Sequence, residues 1–323
     1  MSVEVDVKTR SGPKPIDTTT KSKTGIKVII VGAGFGGLTA AIEAHLQGHS
    51  VTVLEAVRQL KPFGDGISFG ANAGRIFGSW SKGYMLKRFL GRLNYYEYFD
   101  IRKYDGTKIV KQPPPERTPD APTINGHRGE MHMECYYYAK DILGIDIRCG
   151  CKVLRYFEDE NGAGVELADG ERITGDLVIG SDGVKSLARK QLGYDDKPHS
   201  SGYAIFRTCF SAEELLDDPL TREFVDYGDT FTGWAGPNVH FLFVTSKGGR
   251  MGSWFLTHLV FALAMIMTCL VMGANSRIRK IFQTNRGVFL ENWRTQSTSS
   301  KTGIQHAERS LKRLPRMRSL ISS

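Results

Sequence analysis

Residues 27 to 55 place an apolar run, three spaced glycines, a helix-compatible stretch and a second apolar run in a fixed order. Val28 to Val31 runs into Gly32-x-Gly34-x-x-Gly37; Leu38 to Gln47 follows, then Gly48, then a strand that closes on Glu55. This order specifies a parallel β-α-β unit. Gly32 permits the tight turn out of the first strand, Gly34 keeps a side chain from standing between the helix N-terminus and a pyrophosphate, and Gly37 lets the helix lie close on the sheet. Free N–H groups and the positive dipole end at that N-terminus suit a diphosphate. An acid at the end of the second strand, Glu55, can accept both hydroxyls of an adenosine ribose.

A chain of 323 residues, 41% hydrophobic and 24% charged, is long enough to bury a large core. Its formal charge of +9 is confined to one end: residues 277 to 323 hold eleven Lys/Arg against two Glu, and the remainder is neutral. A nucleic-acid partner is therefore not expected. The cysteines at 135, 149, 151, 209 and 269 include no CxxC pair, and Cys149-Gly150-Cys151 lacks a matching His/Cys group. Reduced thiols of an intracellular protein, with no metal site, are the reading. The first 24 residues are polar, lack the apolar core of a secretory signal, and read as a disordered lead-in.

Further along, Gly64-Asp65-Gly66-Ile67 and Gly70-Ala71-Asn72-Ala73 form a glycine-rich loop, and residues 74 to 100 are aromatic and helix-compatible. A helix opens at His127-Arg128 and runs to about Leu143. Val165 to Ile173 predicts a hairpin turning at Asp169-Gly170. Asp176 to Arg189 reads as strand, sharp turn and helix start, a second element suited to a phosphate or a ribityl chain. Between 202 and 247 short strand-like pieces (204–210, 224–227, 239–244) predict an antiparallel sheet covering a ligand pocket.

With the glycine fingerprint, Arg128 and the Ser181-Asp182-Gly183 turn, residues 25 to 249 resemble the FAD-dependent aromatic hydroxylases, salicylate-hydroxylase-like flavoprotein monooxygenases of a type common in fungal secondary metabolism. The resemblance implies an α/β fold, a Rossmann-like doubly wound FAD-binding sheet (25–200) with an antiparallel substrate sheet (201–249). It implies FAD as cofactor, NAD(P)H as co-substrate, and hydroxylation of a small phenolic compound with O2. By it, Gly32, Gly34 and Gly37 face the pyrophosphate, Glu55 holds the ribose, and the loop ending at Gly66 passes near the flavin, with Asp65 in place of the usual small residue. Arg128 touches the cofactor, and Asp182-Gly183, completed by Ser186 and Arg189, closes over it. Arg207 stands where related enzymes place an arginine that positions a phenolate; a fixed cation lowers a phenol's pKa and so speeds electrophilic attack on the ring. The plain alternative for Arg207 is an ion pair to Glu213, Glu214 or Asp217. Tyr227 is the candidate substrate-sheet tyrosine, with simple packing as its alternative. Other flavin oxidoreductases, dehydrogenases or epoxidases, share the fold.

After Arg250 the chain departs from that family. No GD followed by an Ala-His-Pro pattern occurs beyond residue 229. Instead Trp254 to Met272 is free of formal charge (the hydrophobic segment spans 253–273) and is long enough for a membrane-spanning helix, and a basic tail at 277–323 reads as disordered. Two explanations stand: a single-pass anchor in place of the family's second half, or an unrelated tail from a truncated or shifted reading frame. The abrupt compositional break favours the second. A non-catalytic, membrane-tethered remnant is the alternative function, and a cytoplasmic location follows if no anchor exists. Oligomeric state is not legible.

Overall fold

The structure, a computed structural model, describes residues 20–90, 96–114, 121–160, 162–194, 198–217 and 219–259. The chain begins with β1 (Lys27–Val31), α1 (Phe35–Leu46) and β2 (Ser50–Glu55), followed by β3 (Gly66–Phe69), α2 (Ala71–Ser79) and α3 (Tyr84–Leu90). Next come β4 (Phe99–Lys103), β5 (Lys108–Gln112), β6 (Ile124–His127), α4 (Arg128–Tyr137) and β7 (Asp146–Cys149). A meander of β8 (Val153–Asp159), β9 (Gly162–Leu167) and β10 (Arg172–Gly175) leads to β11 (Leu177–Gly180) and α5 (Leu187–Gln191). The described chain closes with β12 (Tyr203–Ser211), α6 (Glu213–Leu216), α7 (Pro219–Arg222), β13 (Phe231–Gly236), β14 (Val239–Ser246) and β15 (Met251–Leu259).

Two compact units are distinguished. Among the described residues, one contains those up to Pro198 with Arg207–Trp234 and Leu242–Trp254; the other contains His199–Phe206, Ala235–Phe241 and Phe255–Leu259.

In the first unit a parallel sheet runs in the order β11-β1-β2-β7. β1 pairs with β11 from Val28↔Leu177 to Val31↔Gly180, and with β2 from Lys27↔Ser50 to Val31↔Leu54. Side chains alternate across such a sheet. Val28, Ile30, Val51 and Val53 pack with Leu38, Ala41 and Ile42 of α1 and with Met131 and Cys135 of α4. Ile29, Val31 and Leu54 point the other way, onto Val153, Tyr156, Val165 and Leu167 of the meander. Each such aliphatic side chain, fully buried, contributes about 1.5–3 kcal/mol. The expected β-α-β unit is present, and its second face is covered by an antiparallel meander rather than by helices. The hairpin at Asp169-Gly170 forms as read, with Gly170 at φ 89° and the Asp169 carboxylate accepting from the Glu171 N–H.

A second sheet runs in the order β12-β15-β14-β13-β4-β5, and β3 pairs antiparallel with β6. The antiparallel sheet therefore reaches outside 201–249: the hairpin β4–β5 and the strand β15 belong to it. Residues 74–100 are helical only in part, since α2 and α3 are followed by strand from Phe99. The expected strand at 224–227 is instead a run of turns after α7, where Asp226 N–H closes back on the Arg222 carbonyl; local β-propensity yields there to helix closure.

In the second unit, Phe206 and His258 stack at 5.0 Å between ring centroids, 14° from parallel. His258 is buried and its Nδ1–H donates to the Leu259 carbonyl. The stretch beginning at Trp254 is therefore strand through Leu259, with Leu256 and His258 buried at the two-residue period, and this corrects the expectation of a helix starting there. The rest of the apolar run, the basic tail and the lead-in up to residue 19 lie outside the described residues. Among the described residues no helix is long and apolar enough to cross a membrane.

Candidate functional site

The glycine turn takes its shape from close contacts. Gly32 has φ 100°, and a Cβ there would strike the Ser181 carbonyl at the end of β11. A Cβ on Gly37 would strike the Gly32 carbonyl, so that glycine seats α1 on the turn. Gly34 differs from both: a Cβ on it would meet nothing within 4 Å. It is the N-cap of α1 and no side chain caps the helix, so the first N–H groups face open space. An anion fits there without steric change.

Glu55 closes the far side. One carboxylate oxygen accepts from the Ala33 N–H at 2.7 Å and the other from the Val57 N–H at 2.9 Å. Each oxygen keeps a further acceptor site, the capacity two ribose hydroxyls require. A cavity of about 330 Å³ lies between these groups, lined by Gly32, Gly34 and Glu55 from the β-α-β unit, by Cys151, Lys152 and Val153 after β7, and by Ser181, Asp182, Gly183, Lys185 and Leu187 after β11.

Asp182 anchors the second turn. Its Oδ2 accepts from the Tyr156 hydroxyl and from the Leu187 and Ala188 N–H groups. Burial by itself raises the pKa of this carboxyl. Hydrogen bonds from Ser186, Ala188, Leu187 and Tyr156 outweigh that and hold it below its usual value, so the group is a carboxylate at neutral pH. The Tyr156 hydroxyl moves the opposite way, raised first by burial and then by the Asp182 charge. Asp182 Oδ1 is buried and has no partner among the described residues. Ser186 caps α5 by accepting from the Arg189 N–H.

Gly66 and Arg128 meet at a separate place. Gly66 pairs with His127 across β3 and β6, the Arg128 N–H donates to the Asp65 carbonyl, and the Arg128 guanidinium donates to the Phe63 carbonyl at 3.2 Å. One turn further along α4, His132 Nε2 lies 2.6 Å from the Ala33 carbonyl. A carbonyl only accepts, so the His132 tautomer carries its proton on Nε2. Positions four apart share a helix face, which puts Arg128 on the side of α4 that meets the glycine turn.

Arg207 pairs with Asp65, Nε to Oδ2 at 3.0 Å, and among the described side chains with neither Glu213 nor Asp217. Tyr227 is 84% exposed on the turn before β13, which overturns packing as its role; it does not line the cavity. Sequence reasoning missed His132, Tyr156 and the two lysines of the cavity. For the lysines, Lys152 after β7 and Lys185 after β11, position was the signal, because ligands in open α/β sheets bind beyond the carboxyl ends of the strands.

Residues 27–63 match the model of an FAD binding domain. Asperlicin C monooxygenase of Petromyces alliaceus is 40% identical over 259 residues, which cover 76% of this chain and 53% of the relative. Over the residues matched, this chain is similar to the FAD-dependent monooxygenases. Among solved structures, FqzB superposes with a TM-score of 0.66 at 36% identity over 75% of this chain and 55% of its own length. CtdE in complex with FAD and a substrate gives 0.68 at 30% identity, over 72% and 57%. The chain spans about half the length of the relatives it matches. FAD fits the residues present: open space before an uncapped helix for its diphosphate and a paired acceptor in Glu55 for its ribose, with Asp182 lining the same cavity.

Proposed function

We propose that this chain is the nucleotide-holding part of an FAD-dependent monooxygenase that hydroxylates a small aromatic compound with NAD(P)H and O2. The observation that carries the reading is the convergence of Gly34, Glu55 and Asp182, from three separate strand ends, on one cavity with open space before the α1 N-terminus. Two electrons from the nicotinamide and one oxygen atom from O2 balance the reaction: the ring gains a hydroxyl, and the second oxygen leaves as water.

Oxygen activation is the chemistry that bound FAD supplies. The work of the chain is binding and orientation. The α1 N-terminus and the glycine turn hold the diphosphate, and Glu55 fixes the adenosine end. Asp182, kept ionised by its four donors, accepts a hydroxyl from the cofactor chain. Arg128 holds the 63–66 loop against α4, and Gly66 lets that loop pass close to the ligand. Arg207 and Tyr227 are assigned to the aromatic substrate, Arg207 on the stronger ground because it is tied to the same loop. No general base on the chain is required where the ring is already electron-rich.

The test is oxygen-isotope incorporation. With FAD, NAD(P)H and ¹⁸O₂, a panel of phenols should give one product that gains a single labelled oxygen. Flavin-dependent nicotinamide oxidation with no labelled product from any aromatic would remove the monooxygenase reading and leave another flavin oxidoreductase.

A further inference from the structure

Two cations borne by the antiparallel sheet and its turns reach toward the nucleotide-binding elements, and each meets an acid there. Arg207 of β12 pairs with Asp65 at 3.0 Å, and Lys247 after β14 pairs with Glu130 of α4 at 2.9 Å. Asp65 is 16% exposed and Arg207 55%, so the carboxylate is held by the fold while the guanidinium is the more open partner. The Asp65 backbone is itself fixed, since its carbonyl accepts from the Arg128 N–H. Gly64 at φ 133° brings this loop within 3.1 Å of the Arg128 side chain, measured from the Cβ position it lacks. A rigid acid thus holds a less constrained base.

We infer that Asp65 is a specificity-determining residue: by neutralising Arg207 it turns the substrate site toward uncharged aromatic compounds and away from phenolates and aromatic carboxylates. The inference rests on the assignment of Arg207 to the substrate. An arginine left alone attracts an anion. An arginine already paired with a tethered carboxylate offers an anion only what remains after that carboxylate is displaced, and the competitor is permanently at hand. The guanidinium keeps N–H donors beside its ion pair with Asp65, and these suit a neutral carbonyl or ring hydroxyl. The second cation of the two, Lys247, is compensated by Glu130, which is itself buried, so it does not restore a positive site.

The test uses a matched pair of probes, benzoate and benzamide, which share ring and shape and differ in charge. Their dissociation constants are measured by equilibrium dialysis against the full chain after incubation with FAD, with flavin retention read by absorbance on the same samples. The wild-type chain should bind benzamide at least as tightly as benzoate. Asp65→Asn, which keeps size and removes charge, should tighten benzoate about fivefold, the factor matching the upper end of a partly exposed ion pair, and leave benzamide within about twofold. Adding Arg207→Gln should abolish the gain, and salt should shrink it. An unchanged benzoate-to-benzamide ratio in Asp65→Asn overturns the inference, and so does a chain on which neither probe binds in any variant. Loss of flavin retention instead strikes the proposed function, while the ratio still reports on the Asp65–Arg207 pair.

Discussion

His132 Nε2 donates to the Ala33 carbonyl at 2.6 Å across 99 residues of sequence, so a side chain on α4 holds the glycine turn that begins α1. The ring also meets Phe35 edge-on at 5.4 Å between centroids, which fixes its plane. The turn that receives the diphosphate is therefore built by tertiary contact as well as by its glycines. Replacing His132 with Ala should raise the Kd for FAD by up to about tenfold, since a lost hydrogen bond of this kind costs about 1 kcal/mol. Fluorescence titration of free FAD measures it. An unchanged Kd would show that the glycines suffice.

Gly34 and Gly37 should separate binding from folding. A methyl at Gly34 enters open space, whereas at Gly37 it enters the Gly32 carbonyl. Gly34→Ala should keep stability within about 1 kcal/mol, the N-cap preference, yet weaken FAD by at least about tenfold, because contacts at a helix N-terminus contribute up to about 2 kcal/mol. Gly37→Ala should lose about 1–3 kcal/mol of fold stability by overpacking. Urea unfolding of the apo-protein and FAD titration should rank the two substitutions in opposite orders.

The Asp182 carboxyl is held below its ordinary pKa, so its hydrogen-bonded carboxylate favours the folded state at neutral pH. With a depressed folded-state value, that contribution is complete above the unfolded pKa and is lost as pH falls below about 3.9. Asp182→Asn should flatten stability against pH in that acid window. Tyr156→Phe removes one of the donors that oppose the effect of burial and should move the acid transition upward. Circular dichroism between pH 2.5 and 6 checks both.

Arg88 of α3 donates to Glu134 of α4 at 2.6 Å, and Glu134 is only 3% exposed. Arg88→Ala removes the guanidinium from a buried carboxylate and should cost about 3 kcal/mol. Neither residue lines the cavity, so FAD affinity measured on the folded fraction should stay within about twofold. A larger change in affinity would connect this pair to the site.

The sequence made the β-α-β unit legible because every device in it is local: period-two strands, spaced glycines and the closing Glu55 act within 29 residues. The Asp169-Gly170 hairpin was legible for the same reason. His132, Tyr156 and the Asp65–Arg207 pair were not, since each works across a long span of chain that no periodicity reports. The β4–β5 hairpin carried a usable signal in Asp105-Gly106, where Gly106 has φ 92° and the Asp105 carboxylate accepts from the Thr107 N–H; the aromatic run before it obscured the change of period. Trp254 to Leu259 was misread because a run of apolar residues without charge looks alike as a helix or as a strand, and its outward positions, Phe255 and Thr257, do not break the run with a charge.

The central claim is that Gly34, Glu55 and Asp182 form one FAD site. The decisive measurement is the visible spectrum of the full chain after incubation with FAD and gel filtration, made in parallel on Gly34→Val. Co-elution of oxidised flavin with the wild-type chain, near one per chain, and its loss from a Gly34→Val chain that keeps its circular dichroism is the predicted result. A colourless wild-type chain, or flavin retained equally by both, would contradict it.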